Sequence, residues 1–217
     1  MSELNAAFNP LVEEGFAFDL LEQDVTEQET WSKVLDFICT KHGKLDVLFN
    51  NAGSADFAYL TDTTPEQWRY VNKLNLDSVF FGMQAAIKVM KDKGGVIVNN
   101  ASIASFFGEP LLAAYNSTKA GVAALTRTAA VECARKGYDI RINSIHPGYT
   151  DTRLVRTLID SLGDEQEAFV ASTLAKVPMG RLADPIEIAR PVLFLASADS
   201  SFMTGSELVV DGGYTAE

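Results

Sequence analysis

Four short apolar runs, each ending in small or polar residues and separated from the next by helical patterning, constrain this chain most. Leu45-Asp46-Val47-Leu48-Phe49 leads into Asn50-Asn51-Ala52-Gly53, and Gly95-Val96-Ile97-Val98 into Asn99-Asn100-Ala101-Ser102. Ile140-Arg141-Ile142-Asn143-Ser144-Ile145-His146 meets Pro147-Gly148, and Glu207-Leu208-Val209-Val210 meets Asp211-Gly212-Gly213. Runs this short and rich in β-branched residues read as strands, over 45–50, 96–101, 139–145 and 207–210, buried on both faces. Phe16 to Val25 reads as a further strand.

The segments between them carry helix signals. Thr26-x-x-Glu29 is a capping box opening a helix to about His42, closed by Gly43. Thr64-Pro65-Glu66-Gln67 opens another, to about Lys91, with Val71, Leu74, Val79, Met83 and Ile87 at apolar positions. A helix over 112–136 ends at Gly137, and a helical pair over 152–175 splits at Gly163. Asp184-Pro185-Ile186-Glu187 caps a helix to about Ser197, which Pro191 should kink or distort. Residues 3–14 read as the end of a helix, disturbed by Pro10.

Strands alternating with helices require an α/β fold with a parallel sheet covered on both faces. Right-handed crossovers make it doubly wound and Rossmann-like. No linker, repeat or low-complexity stretch breaks the 217 residues, so 1–217 reads as a single domain. Ligands in such folds bind beyond the C-terminal strand ends. Asn51, Ser102 and Pro147 all sit at such ends, which puts three motifs in one crevice.

Charge and composition exclude several classes. The net charge of −11 argues against nucleic acid or an anionic membrane as partner. No apolar run approaches the ~20 residues of a membrane span, and no secretory signal is visible, so a cytoplasmic protein is expected. Cys39 and Cys133 form no C-x-x-C and read as two buried thiols in a reducing compartment. His42 and His146 are the only histidines, too few and too isolated for a metal site. His42, at a helix end, complements the dipole. His146 reads as a structural hydrogen-bonder rather than a base.

The chemistry lies in Tyr115-Asn116-Ser117-Thr118-Lys119, with Ser102 upstream. Tyr and Lys at i and i+4 share one helix face. A tyrosine of pKa about 10 is a poor base at pH 7, and a neighbouring ammonium lowers that value. With the Ser102 hydroxyl holding the oxygen that gains or loses a proton, the three read as a general acid/base for alcohol–ketone chemistry. The pair alone is a weak motif, and a half-buried Tyr beside a solvated Lys gives the same spacing.

The ordered set is more specific: N-N-A-G at 50–53, Asn75 in a helix, Ser102 at a strand end, Tyr115-x-x-x-Lys119, Pro147-Gly148 and Gly205-x-x-x-x-x-Asp211-Gly212-Gly213. From about Asp24 to the C-terminus the chain resembles the short-chain dehydrogenase/reductase family. Gly108-Glu109-Pro110 through Lys119, His146-Pro147-Gly148-Tyr149 and the tail from Val209 to Ala216 look most like its secondary-alcohol and hydroxysteroid dehydrogenase branches. The resemblance implies hydride transfer between NAD or NADP and a hydrophobic secondary alcohol or ketone, which a hydroxysteroid would satisfy.

It also implies roles. Tyr115 is the general acid/base, Lys119 lowers its pKa and holds the nicotinamide ribose, Ser102 orients the substrate oxygen, and Asn75 distorts its helix and helps hold a proton-relay water. Ser105 is a lesser substitute for Ser102, whose hydroxyl could instead cap a turn. Asn51, Ala52 and Gly53 pass beneath the adenosine ribose, Asp24 and Val25 contact the adenine, and Leu74 offers a backbone contact. Pro147, Gly148, Thr150 and Thr152 line the nicotinamide, although Thr150 and Thr152 could simply start the next helix. Segment 149–182, with Tyr149, Leu154, Val155, Leu158, Phe169, Leu174 and Met179, would cover the substrate or pack as an amphipathic surface helix. Small residues along helix 112–136 fit packing between subunits of a homotetramer, or close packing on the chain's own sheet.

The family opens with a strand, a T-G-x-x-x-G-x-G turn and a helix that hold the cofactor pyrophosphate. No such motif occurs in this sequence, and the first two strands of the family pattern are lacking. The expectation is an N-terminally incomplete domain with an open edge at strand 45–50 and weak dinucleotide binding. The alternative is a catalytically inactive relative acting as a structural or assembly partner.

Overall fold

The computed structural model of the chain describes residue 8 and residues 11–216. Its helices are α1 Gln28–His42, α2 Pro65–Asn72, α3 Ser78–Met90, α4 Ala113–Arg135, α5 Arg153–Ser161, α6 Gln166–Ala175 and α7 Pro185–Ala196. Its strands are β1 Val47–Asn50, β2 Gly95–Asn100, β3 Ile140–Pro147 and β4 Glu207–Val210. They form one parallel sheet in the order β1-β2-β3-β4. The register sets Asn50 beside Asn99 and Asn100 beside Ile145, so the polar strand ends lie along one edge of the sheet.

Alternation along each strand builds a core on both faces. Ile97 and Ile142 point to one side, with Leu35, Val79, Met83, Met90 and Val122 from α1, α3 and α4. Val98 and Ile145 point to the other, with Leu195 of α7 and the partly buried Val192 and Leu208. The fold is thus doubly wound, as the alternating pattern requires. Gly82 lets the first layer close: a Cβ there would meet Asn50 Oδ1 at 2.6 Å and the Trp31 ring at 2.8 Å.

Local signals behave as the sequence suggests at most helix ends. Thr64 and Gln67 form a reciprocal capping box on α2, Asp184 and Glu187 do the same on α7, and α7 runs on through Pro191. Gly43 closes α1 in the left-handed region, at φ 83°. Thr26 and Glu29 form no capping box: Glu27 is the N-cap, while the Thr26 amide and hydroxyl both turn back to Asp24 Oδ1, at 2.9 and 2.7 Å. Asp24, one helical turn earlier than Gln28, took the partner that the motif needs.

The expected strand over 16–25 is not formed; residues 16–24 have no regular structure. A strand needs a ladder, and among the described residues none pairs with it: a cleft of about 280 Å³ separates Gln23 and Val25 from β1. β1 is accordingly an edge strand, with Val47 and Phe49 both about two-fifths exposed. Of the helix end expected over 3–14, residues 8 and 11–13 are helical, and the rest of it up to residue 10 lies outside the described residues. Among those described, no helix is long and apolar enough to cross a membrane.

Candidate active site

The helix from Pro65 to Met90 is interrupted by a π-turn over Lys73–Asp77, and Asn75 lies in it, 1% exposed. A π-turn widens the helix by one residue and frees backbone groups locally. Asn75 turns toward the β1 end. Its Oδ1 accepts from the Ser54 amide at 2.9 Å, and its Nδ2 donates to the Ser54 carbonyl at 2.8 Å and to Thr118 Oγ1 at 3.3 Å. This clamps the loop Asn51-Ala52-Gly53-Ser54. A Cβ on Gly53 would stand 3.2 Å from Asn75 Oδ1 and 3.7 Å from Lys119 Nζ, so the loop, the π-turn and α4 converge there.

Tyr115 and Lys119 stand one turn apart on α4, as their spacing requires. Lys119 is 4% exposed. Its Nζ donates to the Asn100 carbonyl at 2.6 Å and sits 5.5 Å from the Tyr115 ring centre. Burial pulls the Lys119 pKa down to about 8. Burial pushes that of Tyr115 up, against a smaller downward pull from its hydrogen bond to Ser102. Here the expected lowering of Tyr115 by Lys119 does not set the balance. Desolvation is the larger effect at the phenol, and the Lys119 ammonium is committed to the Asn100 carbonyl.

Ser102 is buried at the end of β2. Its hydroxyl accepts from the Ala104 amide at 3.1 Å, capping a short 3-10 turn over Ile103–Ser105, and lies near enough to Tyr115 to pull its pKa down a little. Capping and active-site readings of Ser102 therefore hold together. Ser105 donates to the Ser102 carbonyl at 2.5 Å.

Two clefts meet at Ser102, Tyr115 and Gly148. One, of about 90 Å³, is lined by Ala55, Phe57, Phe107, Leu112, Tyr149 and Leu158 among others and is mainly apolar. The other, of about 300 Å³, carries Asn51, Asn100, Pro147, Thr150 and Thr152. Gly148 is required between them, because a Cβ there would come within 2.8 Å of Asp211 Cα. Leu154 and Val155 border both clefts.

The residues of the larger cleft fit a polar ring-and-ribose ligand of the nicotinamide type. Asn100 Oδ1 is buried without a hydrogen-bond partner, although Nδ2 of the same side chain donates to Asn51 Oδ1 at 3.0 Å. Lys119 Nζ makes one of the three hydrogen bonds an ammonium offers. Such groups are costly unless something satisfies them.

The remaining sequence candidates divide. Val25 lines a cleft of about 280 Å³ beside β1, together with Asn51, Ala52, Trp31 and Phe49. Asp24 is exposed and caps the Thr26 turn, and its carboxyl is held below the usual range by those two bonds. Leu74 lies in the π-turn, its carbonyl taken by Ser78 Oγ at 2.5 Å. Thr152 accepts from the Val155 amide at 3.5 Å as N-cap of α5, while Thr150 donates to the Gly148 carbonyl at 3.1 Å. Of the expected cover, Tyr149, Leu154, Val155 and Leu158 reach the apolar cleft, and Met179 lines another.

Sequence reasoning passed over Asn100, Phe57 and Phe107. Asn100 carried a signal: a second Asn at the end of an apolar strand is an unforced polar choice. Among the described residues, no three His, Cys, Asp or Glu side chains gather as metal ligands.

A family model described as enoyl-(acyl carrier protein) reductase matches residues 2–215. The chain is 42% identical over 199 residues to an NADP-dependent (R)-specific alcohol dehydrogenase of Lentilactobacillus kefiri, a match covering 91% of this chain and 77% of the relative. It is 41% identical over 197 residues to a cyclopentanol dehydrogenase of Comamonas sp. (strain NCIMB 9872), covering 90% and 76%. A crystal structure of a short-chain type dehydrogenase/reductase from Mycobacterium marinum superposes with a TM-score of 0.91 at 33% identity, covering all of this chain and 83% of that one.

Proposed function

The chain belongs to the short-chain dehydrogenase/reductase family, and from that premise we propose that it transfers a hydride between a nicotinamide cofactor and a hydrophobic secondary alcohol or ketone, with Tyr115 as general acid/base. The observation that carries this reading is that Ser102 and Tyr115 line both clefts, the small apolar one and the larger one that carries Asn51, Asn100, Thr150 and Thr152. When bound, the nicotinamide donates or accepts the hydride.

The protein's own groups handle the oxygen and its proton. Tyr115, its pKa raised by burial, carries its proton at neutral pH, the form that reduces a ketone by donating to the carbonyl oxygen. In the oxidation direction the same oxygen atom, once its proton has passed on toward Lys119 and solvent, accepts the alcohol proton. The Ser102 hydroxyl bonds the substrate oxygen from its other side and fixes its distance to Tyr115. Lys119, near pKa 8, is mostly charged at pH 7 and has N–H groups to give a ribose hydroxyl. It can pass a proton by way of water toward Asn75, which stands across Gly53.

Pro147, Gly148, Thr150 and Thr152, with Asn100, would hold the nicotinamide end. Asn51, Ala52, Gly53 and the Leu74 backbone would lie under the ribose, and Val25 and Asp24 toward the adenine. NADP is the form to assay first, because the relative from Lentilactobacillus kefiri is NADP-dependent. The apolar cleft of about 90 Å³ suits a five- or six-membered ring better than a four-ring steroid. Exposed Ala120, Ala124 and Val131 on α4 support packing between copies as a homotetramer. The cytoplasm is the compartment that fits two free thiols. Nothing in the relatives favours an inactive assembly partner.

The test is reduction of cyclopentanone at millimolar NADPH by the chain and by its Tyr115→Phe variant. Turnover that depends on the Tyr115 hydroxyl is expected. A Phe variant within tenfold of the parent, or a parent without turnover with either dinucleotide, would overturn the reading.

A further inference from the structure

We propose that His146 is a positioning residue for Ser102: its ring, locked behind the β2 end, holds the Ser102 peptide so that the Ser102 hydroxyl faces Tyr115. The inference rests on the reading of Ser102 given above. His146 is the next-to-last residue of β3, directly before Pro147, and is 0% exposed. Its Nδ1 lies 3.0 Å from the Ser102 carbonyl oxygen and 2.9 Å from Ser105 Oγ, and its Nε2 lies 2.9 Å from Ser144 Oγ. Phe106 stacks on the ring at 4.8 Å between centres, inclined by 23°.

These partners select one tautomer. A lone pair on Nδ1 facing the Ser102 carbonyl at 3.0 Å would be repulsive, so Nδ1 carries the proton and donates. Nε2 then accepts from the Ser144 hydroxyl, and every polar atom of the ring is satisfied. The ring also stays neutral: burial, with Lys119 and Arg127 nearby, lowers its pKa to about 4 against the bond to Ser102 that raises it. Glu207, on β4, stands 3.9 Å from Nε2 without reversing that balance.

The geometry gives the ring one mechanical output. Ser102 has extended backbone at φ −172°, and its carbonyl receives three donors: the Ser105 amide at 3.1 Å, Ser105 Oγ and His146 Nδ1. Two of the three come from the same 3-10 turn and move with it. Among the described residues, His146 is the side chain whose hydrogen bonds tie that turn to β3, beside the backbone bond from the Ala101 amide to the Ile145 carbonyl at 2.9 Å, and β3 leads into Pro147 and Gly148 of the larger cleft. Filling space alone would not call for a buried imidazole; a leucine or phenylalanine would do that without polar atoms to satisfy.

Asn in place of His puts an amide donor near the Nδ1 position, Gln puts one near Nε2, and Leu removes both. The experiment compares the full chain with His146→Asn, His146→Gln, His146→Leu and Ser102→Ala. It uses two readouts: cyclopentanone reduction with NADPH, and the 13Cζ resonance of Tyr115 at pH 7, identified by its loss in Tyr115→Phe. The resonance senses the hydrogen bond at the phenol and needs no cofactor.

We expect His146→Leu and His146→Gln to shift it toward the Ser102→Ala position and to lower kcat about tenfold with a smaller change in KM. His146→Asn should stay near the parent on both. If Ser102→Ala moves the resonance while Gln and Leu do not, or if Asn fails as badly as Leu, the positioning role is wrong and the site reading stands. If Ser102→Ala itself leaves the resonance and turnover unchanged, the site reading fails with it. Should Leu not fold, the Asn–Gln contrast decides alone.

Discussion

The interior of the β-sheet and its β1 edge are built differently; the β4 edge is again partly open, with Val209 about two-fifths exposed. On β3, Ile142, Asn143, Ser144, Ile145 and His146 are all fully buried, and the polar ones are tied in. Asn143 donates to the Met203 carbonyl at 2.8 Å and accepts from the Ser206 amide at 2.9 Å. Asn99 on β2 bridges Asn50 at 2.8 Å and Thr126 at 2.9 Å. At the β1 edge, Val47 and Phe49 are about two-fifths exposed, and residues 16–24, which have no regular structure, do not pair with it. The groups proposed to do chemistry gather at the closed interior. Val25 and Asp24, proposed for the adenine, lie toward the open β1 edge. Rigidity is concentrated where a misplacement of one ångström would be costly.

The strongest way to break this contrast is to remove one atom at the closed interior. Tyr115→Phe should lower turnover by about 10²-fold or more and leave the melting temperature nearly unchanged. Asp24→Asn, in the same assay, should change kcat less than about threefold, a scale far below that of an acid/base group. A larger loss from the Asp24 variant would show that the open edge shares in catalysis.

The next effect sharpens the price of the closed interior. Lys119 is charged in the unfolded chain up to pH about 10.5 and neutral in the folded one above about 8. Below pH 8 the buried charge costs roughly 3 kcal/mol, and the cost fades as pH rises from about 8 to 10.5. Lys119→Met should therefore stabilise the fold at pH 7 while abolishing turnover, with the gain gone by pH about 10.5. Chemical denaturation across that range measures it. A destabilised variant would mean that the bond to Asn100 outweighs desolvation.

His146 supplies an acid counterpart. The unfolded ring gains its proton as pH falls below about 6.5, the folded ring only near 4. Native stability should fall through that window by up to roughly 3 kcal/mol. His146→Asn should flatten this part of the curve, with Lys119, Arg127 and Glu207, the charged groups facing the ring, left in place. A parent curve as flat as the variant's would remove the argument for a neutral, buried ring.

The smallest effects compare like with like. Val98→Ala, fully buried on β2, should cost about 2 kcal/mol, and Val47→Ala on β1 under about 1 kcal/mol. Equal costs would mean that β1 is covered in solution.

Legibility followed the same division. The strands and their ends could be read from short apolar runs: both faces of β2 and β3 are largely buried, and the edge strands β1 and β4 carry the same runs although Val47, Phe49 and Val209 stay about two-fifths exposed. Asn75 could be expected to distort its helix, and the π-turn does so. The strand over 16–25 could not be judged locally: Phe16 to Val25 has the composition, but pairing is decided by what lies alongside. Thr26-x-x-Glu29 failed because Asp24 competes for the same donors. Asn100 was missed because its neighbour Asn99, wholly internal, looks the same in sequence but faces the other way across the pleat. The burial of Tyr115 could not be read, because spacing shows which charge is near and not how much water has been lost.

The π-turn over Lys73–Asp77 has a consequence for chain length. A single such turn stores one surplus residue without rotating the helix beyond it, so Val71 before it and Val79 and Met83 after it are all inward. The segment is thus a site where a one-residue deletion could be absorbed. Losing Lys73 would let Pro65–Met90 close into an unbroken α-helix with both flanks in phase, yet withdraw Asn75 from the Ser54 loop. A molecule one residue shorter would keep its architecture and lose its clamp.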